Sequence, residues 1–175
     1  NDIYGHAVGD LLLREAADRM RLCVRESDTV GRFGGDEFVV LLPHVESEND
    51  ALRVAEKIRH AIGEPFRLGG LTLDVSASIG IAVYPHHGSD DAGLLLHADS
   101  AMYDAKHGGR DQVCVSVAAR PEFDATAYSR LQRAGPVLSH DGCVGRRALC
   151  GVRVLSWFRQ AFAAIRQVIN RRFWR

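Results

Sequence analysis

Residues 29–42 read Thr29-Val30-Gly31-Arg32-Phe33-Gly34-Gly35-Asp36-Glu37-Phe38-Val39-Val40-Leu41-Leu42. Two β-prone runs flanking two glycines predict a hairpin, because glycine permits the positive φ angles of a tight turn. Glycine also lets a bulky anion approach the backbone, and the carboxylates of Asp36 and Glu37 are oxygen ligands suited to a hard divalent cation. The stretch therefore suits a nucleoside triphosphate with its metal. A merely acidic, solvated turn is the structural alternative.

The surrounding sequence predicts three helices, over residues 9–25, 49–62 and 91–106, from apolar residues at helical spacing. Ser47 and Asp50 form a candidate capping pair for the second helix. Alternation around Gly69-Gly70 predicts a hairpin within residues 66–84, of which 78–84 form a buried central strand, and 112–117 form a last strand. Helices, strands and hairpins in this order predict an α/β fold with a mixed, largely antiparallel central sheet flanked by helices.

Further motifs stand at fixed places around the hairpin. They are Asn1-Asp2-Ile3-Tyr4-Gly5-His6-Ala7-Val8-Gly9-Asp10 upstream, and Ser78-Ile79-Gly80-Ile81-Ala82, Ala98-Asp99-Ser100-Ala101-Met102-Tyr103-Asp104-Ala105-Lys106 and Gly109-Arg110 downstream. In this order and spacing they closely resemble the GGDEF family of diguanylate cyclases, over roughly residues 1–117. The resemblance implies the palm-like sheet of nucleotide cyclases and polymerases, and the condensation of two GTP into cyclic di-GMP with release of pyrophosphate.

The resemblance places the catalytic and metal-binding residues at the hairpin tip. Asp36 corresponds to the metal-binding acid of the family motif, and Glu37 belongs to the same site, with Mg²⁺ or Mn²⁺ as the ion. Which group takes the proton from the attacking hydroxyl stays open. Gly34 and Gly35 are the expected backbone contacts of the phosphates.

Cationic side chains are the expected partners of the phosphates. Lys106 and Arg110 are four residues apart at the end of the third helix, so they can face the same way and clamp the β- and γ-phosphates. The alternative is that they only complement the helix dipole. Arg32, just before the turn, is a further candidate phosphate contact.

The resemblance places guanine recognition on Asn1 and Asp10. An amide and a carboxylate together satisfy the donors and acceptors of a guanine edge. An ordinary capping role for Asp10 at a helix start is the competing interpretation.

Arg25 and Asp28 stand five residues before the tip, with the spacing that marks a product-binding inhibitory site in the family. An arginine can fork onto a phosphate or a guanine edge. A surface ion pair at a helix end is the alternative. Arg53 on the next helix is a weaker candidate for the same site.

The resemblance also implies features that this sequence lacks. Family members carry a central strand before the position of Asn1, with a second metal-binding Asp. We expect the first strand to be missing, core surface on its neighbours to be exposed, and the 175-residue chain to be inactive alone although its parent protein is active. A catalytically inactive module that binds cyclic di-GMP or GTP as a regulatory receptor is the alternative function.

The resemblance implies a GGDEF domain over residues 1–117, incomplete at its N-terminus, and leaves a basic, arginine-rich tail over 118–175. The first part carries 11 basic and 19 acidic side chains, the tail 11 arginines and three acids. Apolar spacing predicts a basic amphipathic helix over 153–170, which could contact a membrane surface or a partner. We favour a poorly ordered extension, or sequence outside the natural reading frame, over that alternative.

The remaining expectations concern compartment and partners. The four cysteines show no metal-ligand spacing, and no signal peptide or apolar run of spanning length is visible, which favours the cytoplasm. Attachment to a membrane-bound sensor in the full-length protein is compatible with this location. Since one domain holds one GTP, catalysis implies a homodimer with GTP as substrate and cyclic di-GMP as product and inhibitor. No nucleic-acid partner is expected, and the histidines are assigned to structural or surface roles.

Overall fold

The computed structural model describes residues 6–117 and 148–156. Its elements are α1 (His6–Cys23), β1 (Thr29–Gly34), β2 (Glu37–Leu42), α2 (Glu48–Gly63), β3 (Phe66–Leu68), β4 (Leu71–Leu73), β5 (Val75–Val83), α3 (Asp91–His107), β6 (Val113–Val115) and β7 (Ala148–Ser156). The α/β class and the three helices are confirmed. None of the helices in these two ranges is long and apolar enough to span a membrane.

A five-stranded sheet in the order β1-β2-β7-β5-β6 organises these elements, and β3 and β4 form a separate ribbon. β1 and β2 are antiparallel, as are β3 and β4. β7 runs parallel to both β2 and β5, and β6 runs parallel to β5. The sheet is mixed, as predicted. Among the described strands of this sheet only β1 and β2 are antiparallel, so the central sheet is mostly parallel and not largely antiparallel as predicted, because β7 points in the same direction as both of its neighbours.

The two faces of the sheet are covered by different helices. α1 and α2 pack on one face, where Phe38, Ile79 and Val152 belong to the larger apolar core. α3 packs on the other face against a smaller cluster that includes Val39 and Ala82. Successive residues of a strand point to opposite faces, so β5, whose nine residues are all buried, serves both cores.

β7 occupies the centre of the sheet, where the sequence analysis expected a missing strand. It pairs with β2 from Glu37↔Gly151 to Leu42↔Ser156 and with β5 from Val75↔Ala148 to Val83↔Ser156. The expected exposure of neighbouring core surface is therefore wrong for the described residues. The side chains of Val152 and Val154 are fully buried by this insertion.

The described part of the tail, residues 148–156, differs from what the sequence predicted. Residues 153–156 continue β7, so the helix predicted over 153–170 does not begin at 153. Residues 148–156 are also part of the sheet rather than of a poorly ordered extension. Positions 118–147 and 157–175 lie outside the described residues.

The helix ends follow from local chemistry that the sequence indicates. The Asp50 carboxylate accepts the Ser47 backbone N–H at 3.0 Å, which confirms the capping pair of α2. Asp90 caps α3 by accepting the N–H of Gly93 at 2.7 Å. These caps fix where α2 and α3 begin against the sheet.

Candidate functional site

The hairpin tip is an open, glycine-lined turn between β1 and β2. Gly35 has a φ of 53°, a left-handed conformation that glycine adopts without steric cost. A Cβ atom placed on Gly34 or Gly35 would meet nothing within 4 Å. The backbone at the tip is therefore accessible to a bulky ligand.

Arg32 folds over this tip. Its Nε donates a hydrogen bond of 2.9 Å to the carbonyl oxygen of Gly35. A bulge between Arg32 and Gly34 leaves Phe33 out of register, and the next pair across the turn is Gly34↔Glu37. The guanidinium consequently stands beside the turn, in a position to meet an anion bound there.

Two carboxylates follow the glycines, and a buried ring anchors them. The side chain of Asp36 is exposed, Glu37 is half-buried, and Phe38 is 1% exposed in the core. The phenylalanine of the motif thus has a packing role that fixes the start of β2. The acids before it remain at the accessible end of the strand.

Asp10 lies at the same end of the molecule as the tip. α1 packs on β1 and runs in the opposite direction, because only residues 24–28 join the two elements. From Asp10 to Cys23 the helix rises about 20 Å, and β1 spans about 17 Å. Asp10 is therefore level with the end of β1, and its side chain is exposed.

The capping alternative for Asp10 is wrong. α1 begins at His6, so Asp10 is its fifth residue and has passed the first turn. Asn1, the other predicted guanine contact, lies outside the described residues.

The turn between α3 and β6 also lies at this end of the sheet. β6 begins at Val113, which pairs with Ile79, and Ile79 is level with Phe38 through Val152 of the intervening strand. Three strand spacings, about 14 Å, separate β2 from β6. The sheet thus brings Lys106 and Arg110 to the same end of the sheet as the tip.

The sequence predicted that Lys106 and Arg110 face the same way at the end of one helix. The structure does not place them on a shared helical face. α3 ends at His107, and Arg110 has a φ of 63° in the turn beyond it. Arg110 is exposed and Lys106 is half-buried. Any shared phosphate contact depends on the geometry of this turn rather than on the i, i+4 spacing.

Arg25 and Asp28 lie at the opposite end of the sheet, in a groove of about 1090 Å³. The Asp28 carboxylate accepts the backbone N–H of Arg25 at 2.8 Å and the Ser27 hydroxyl at 3.4 Å. Among the described residues, no ion pair joins the Arg25 guanidinium to Asp28. The surface ion pair considered from the sequence is therefore wrong, and the exposed guanidinium faces the groove.

Further charged groups line the same groove. Arg53, the weaker candidate for the inhibitory site, lines the groove together with Arg25 and Asp28, and it forms an ion pair with Asp50. The hydrogen bond from Arg53 is the main reason why the pKa of Asp50 lies below its usual value. Tyr84 and His86 form part of the facing wall. The groove therefore combines cations, acids and a ring, which suits a polar aromatic anion.

Sequence reasoning missed Lys57 and the ion pair of Arg59. Lys57 Nζ lies 3.4 Å from the Leu22 carbonyl oxygen and 3.3 Å from that of Cys23, where it caps α1 beside the groove. Arg59 Nη1 lies 3.2 Å from Asp111 Oδ1. Basic residues on α2 were visible in the sequence. Their partners, 34 and 52 residues away, leave no signal in a single chain.

The described part of the chain contains no cluster of three or more His, Cys, Asp or Glu side chains able to hold a metal. His87 has the structural role expected of it, since its Nδ1 accepts the Val83 N–H at 2.9 Å and its side chain is 4% exposed. A pair of carboxylates at the tip, completed by ligand oxygens, is thus the arrangement to consider for a divalent cation.

Comparison with known proteins agrees with this geometry. Residues 1–112 match the family described as "Diguanylate cyclase, GGDEF domain". The bifunctional diguanylate cyclase/cyclic di-GMP phosphodiesterase MucR of Pseudomonas aeruginosa is 45% identical over 132 residues, which are 75% of this chain and 19% of MucR. The chain therefore spans about a fifth of the length of this relative.

Solved structures agree as well. The GGDEF domain of PA1120 (YfiN or TpbB) from P. aeruginosa aligns with a TM-score of 0.63 and 43% identity, over 68% of this chain and 74% of that domain. The GGDEF domain of DgcB from Caulobacter crescentus, solved in complex with c-di-GMP, aligns with a TM-score of 0.53 and 25% identity, over 66% of this chain and 68% of that one. The palm-like fold is thereby confirmed.

Proposed function

Because the chain belongs to the GGDEF family of diguanylate cyclases, we propose that it condenses two GTP into cyclic di-GMP and two pyrophosphates. The observation that carries this proposal is the intact tip. Gly35 keeps its left-handed turn, and Asp36 and Glu37 follow it at an open edge of the sheet. A module that only bound cyclic di-GMP in the groove at the opposite end would have no need of this combination.

The tip fits a divalent cation. Asp36 and Glu37 offer hard carboxylate oxygens, and the glycines before them leave open space for phosphate. Mg²⁺, or Mn²⁺ in its place, would be held by these two acids and would neutralise charge on the triphosphate. Phosphate and water oxygens would complete the coordination, because magnesium takes them readily.

The remaining residues bind and orient the nucleotide. The exposed carboxylate of Asp10 can accept hydrogen bonds from N1 and N2 of guanine, at the same end of the molecule as the tip. Arg32 beside Gly35, and Lys106 and Arg110 at the α3–β6 turn, supply positive charge to the phosphates. Phosphoryl transfer depends chiefly on such alignment and charge stabilisation.

We propose a homodimer as the active form. The tip is exposed at the edge of one domain, and one such site holds one GTP. Two domains that face each other would offer each α-phosphate to the 3′-hydroxyl of the other nucleotide. The protein's contribution is then to hold the two reacting groups in line.

The groove at the opposite end supports control by product. Arg25, Asp28 and Arg53 line it together, and the DgcB domain was solved with c-di-GMP. An exposed arginine and a carboxylate fixed by two hydrogen bonds can contact both the phosphate and the guanine of a cyclic dinucleotide. Binding here would slow the enzyme at a distance from the tip.

The test is to assay the chain, alone and extended by its natural upstream residues, with GTP and Mg²⁺. We expect cyclic di-GMP from the extended protein and none from its Asp36→Ala variant, whereas Asp18→Ala, a substitution on the outer surface of α1, keeps the rate. Full activity of Asp36→Ala would exclude the metal assignment. Tight binding of cyclic di-GMP without turnover in the extended protein would establish the receptor function instead.

A further inference from the structure

We propose that Arg59 of α2 is a positioning residue for Arg110, an inference that rests on the proposed function. Arg59 itself is not placed at the nucleotide. It acts through Asp111, whose backbone continues that of Arg110. No feature of the sequence connects these two regions, and the structure joins them by an ion pair.

The turn that carries Arg110 is conformationally unusual. Gly109, Arg110 and Asp111 have φ angles of 119°, 63° and 46°. Left-handed backbone is unfavourable for residues with a Cβ, and it persists where surrounding contacts hold it. Two such residues in succession mean that the direction of the Arg110 side chain depends on what fixes this turn.

Three contacts fix it. The backbone N–H of Arg110 donates to the Ala105 carbonyl oxygen at 3.1 Å. The Gln112 side-chain amide donates to the same oxygen at 2.8 Å. Both contacts tie the turn to α3. The third contact, from Arg59 Nη1 to Asp111 Oδ1 at 3.2 Å, ties it to α2 on the other face of the sheet.

Arg59 is well held for this task. Its Nε donates to Glu56 Oε2 at 2.8 Å, and its Nη2 lies 3.2 Å from His60 Nε2. α2 is anchored beneath it by Ile58 and Ile62, which are fully buried. The Arg59 side chain is only 21% exposed. The guanidinium therefore presents a fixed donor to Asp111.

Removal of Arg59 would free Asp111 and let the turn relax, so that Arg110 loses its orientation toward the phosphates. The effect is on nucleotide affinity. A partly exposed ion pair contributes only modest free energy. We therefore expect Arg59→Ala to lower the affinity for the nucleotide about threefold to fivefold. If the contact served only stability, its removal would lower the melting temperature and leave the affinity for the nucleotide unchanged.

The test measures, by calorimetry, the binding of a non-hydrolysable GTP analogue with Mg²⁺ to the 175-residue chain extended by its natural upstream residues. The variants are Arg59→Ala, Arg110→Ala and the double variant, with melting temperature recorded for each. Arg21→Ala is the matched control, because Arg21 makes an i, i+3 ion pair with Asp18 on an exposed face of α1. If Arg59→Ala does not fold, Arg59→Lys replaces it, since lysine keeps the charge and loses the fork.

Non-additivity is the expected result. Arg59→Ala weakens binding in the wild-type background, adds nothing in the Arg110→Ala background, and Arg21→Ala has no effect. If Arg59→Ala lowered affinity equally in the wild-type and Arg110→Ala backgrounds, or lowered the melting temperature with unchanged affinity, the role of Arg59 would be wrong. The proposed function would not be affected by either result. Wild-type protein that fails to bind the analogue would overturn the proposed function and the inference with it.

Discussion

A Cβ atom on Gly80 would lie 2.1 Å from the carbonyl oxygen of Ala98, so that β5 and α3 meet backbone to backbone. The same Cβ would also lie 2.3 Å from the backbone nitrogen of Met102. Neither atom can move without a shift of the helix. The glycine of the Ser78–Ala82 motif therefore sets how closely α3, with Lys106 near its end, can approach the sheet.

Gly80→Ala should destabilise the protein by about 3 kcal/mol, because overpacking against backbone forces α3 away from β5. Urea unfolding followed by circular dichroism measures the change. Gly63→Ala is the matched control, since a Cβ there meets nothing within 4 Å and the substitution should be neutral or slightly stabilising. Equal stability of the two variants would contradict the close approach.

Arg19→Ala should cost about 2–3 kcal/mol of stability. Arg19 donates to the carbonyl oxygens of Ala61, Glu64 and Pro65 at 3.0, 2.6 and 2.9 Å, and its guanidinium stacks 3.7 Å from the centre of the Phe66 ring. Arg19→Lys should recover little, because an ammonium cannot serve several carbonyls and the ring together. Thermal unfolding of both variants is the measurement, and full recovery by lysine would refute this account.

His87 should make stability depend on pH. Burial, the largest cause, holds the pKa of His87 below its ordinary value of about 6.5, and Nδ1 accepts the Val83 N–H only while unprotonated. The unfolded chain therefore takes up the proton at a higher pH than the folded protein. The stability that this group contributes above about pH 6.5 is lost as the pH falls below that value.

His87→Gln should remove that part of the pH dependence. The free energy of unfolding is measured at about pH 7.5 and about pH 5.5 for both proteins, on either side of the ordinary histidine pKa. His86→Gln is the control, because the side chain of His86 is exposed. If the pH dependence of stability remained in His87→Gln and disappeared in His86→Gln, His86 would be its source and this account of His87 would be wrong.

Arg25→Ala should weaken binding of cyclic di-GMP by about tenfold or more, because a charge-assisted contact to phosphate or guanine is lost. Affinity for the GTP analogue should be unchanged, since Arg25 and the tip lie at opposite ends of β2. Calorimetry with each ligand separates the two effects. Parallel loss of both affinities would show that the substitution acts through folding.

The sequence predicted the parts of this protein whose signals are local. Apolar spacing located α2, Ser47 and Asp50 marked its start, and Gly34-Gly35 marked the turn. Ordered motifs supplied the family, which no single helix or strand could have done. The residues of the candidate site therefore followed from short stretches of the chain.

Contacts between residues that are far apart in the sequence could not be predicted from such local signals. Val152 and Val154 alternate with Arg153, a period of two that is typical of a strand, but apolar residues at helical spacing from Val154 onward favoured a helix. What decided the outcome was the slot between β2 and β5, where burial on both faces stabilises a strand. In the same way, Arg59 and Asp111 meet only because α2 and β6 pack together.

β2 and β5 each pair with β7 and not with each other. In the 175-residue chain the sheet can therefore close only when residues 148–156, which follow all the other described strands in the sequence, have inserted between β2 and β5. Assembly that waits on such remote pairing is slow and leaves two strand edges open to other chains in the meantime. In the 175-residue chain, β2 and β5 would thus offer edges for aggregation until this nine-residue segment is in place.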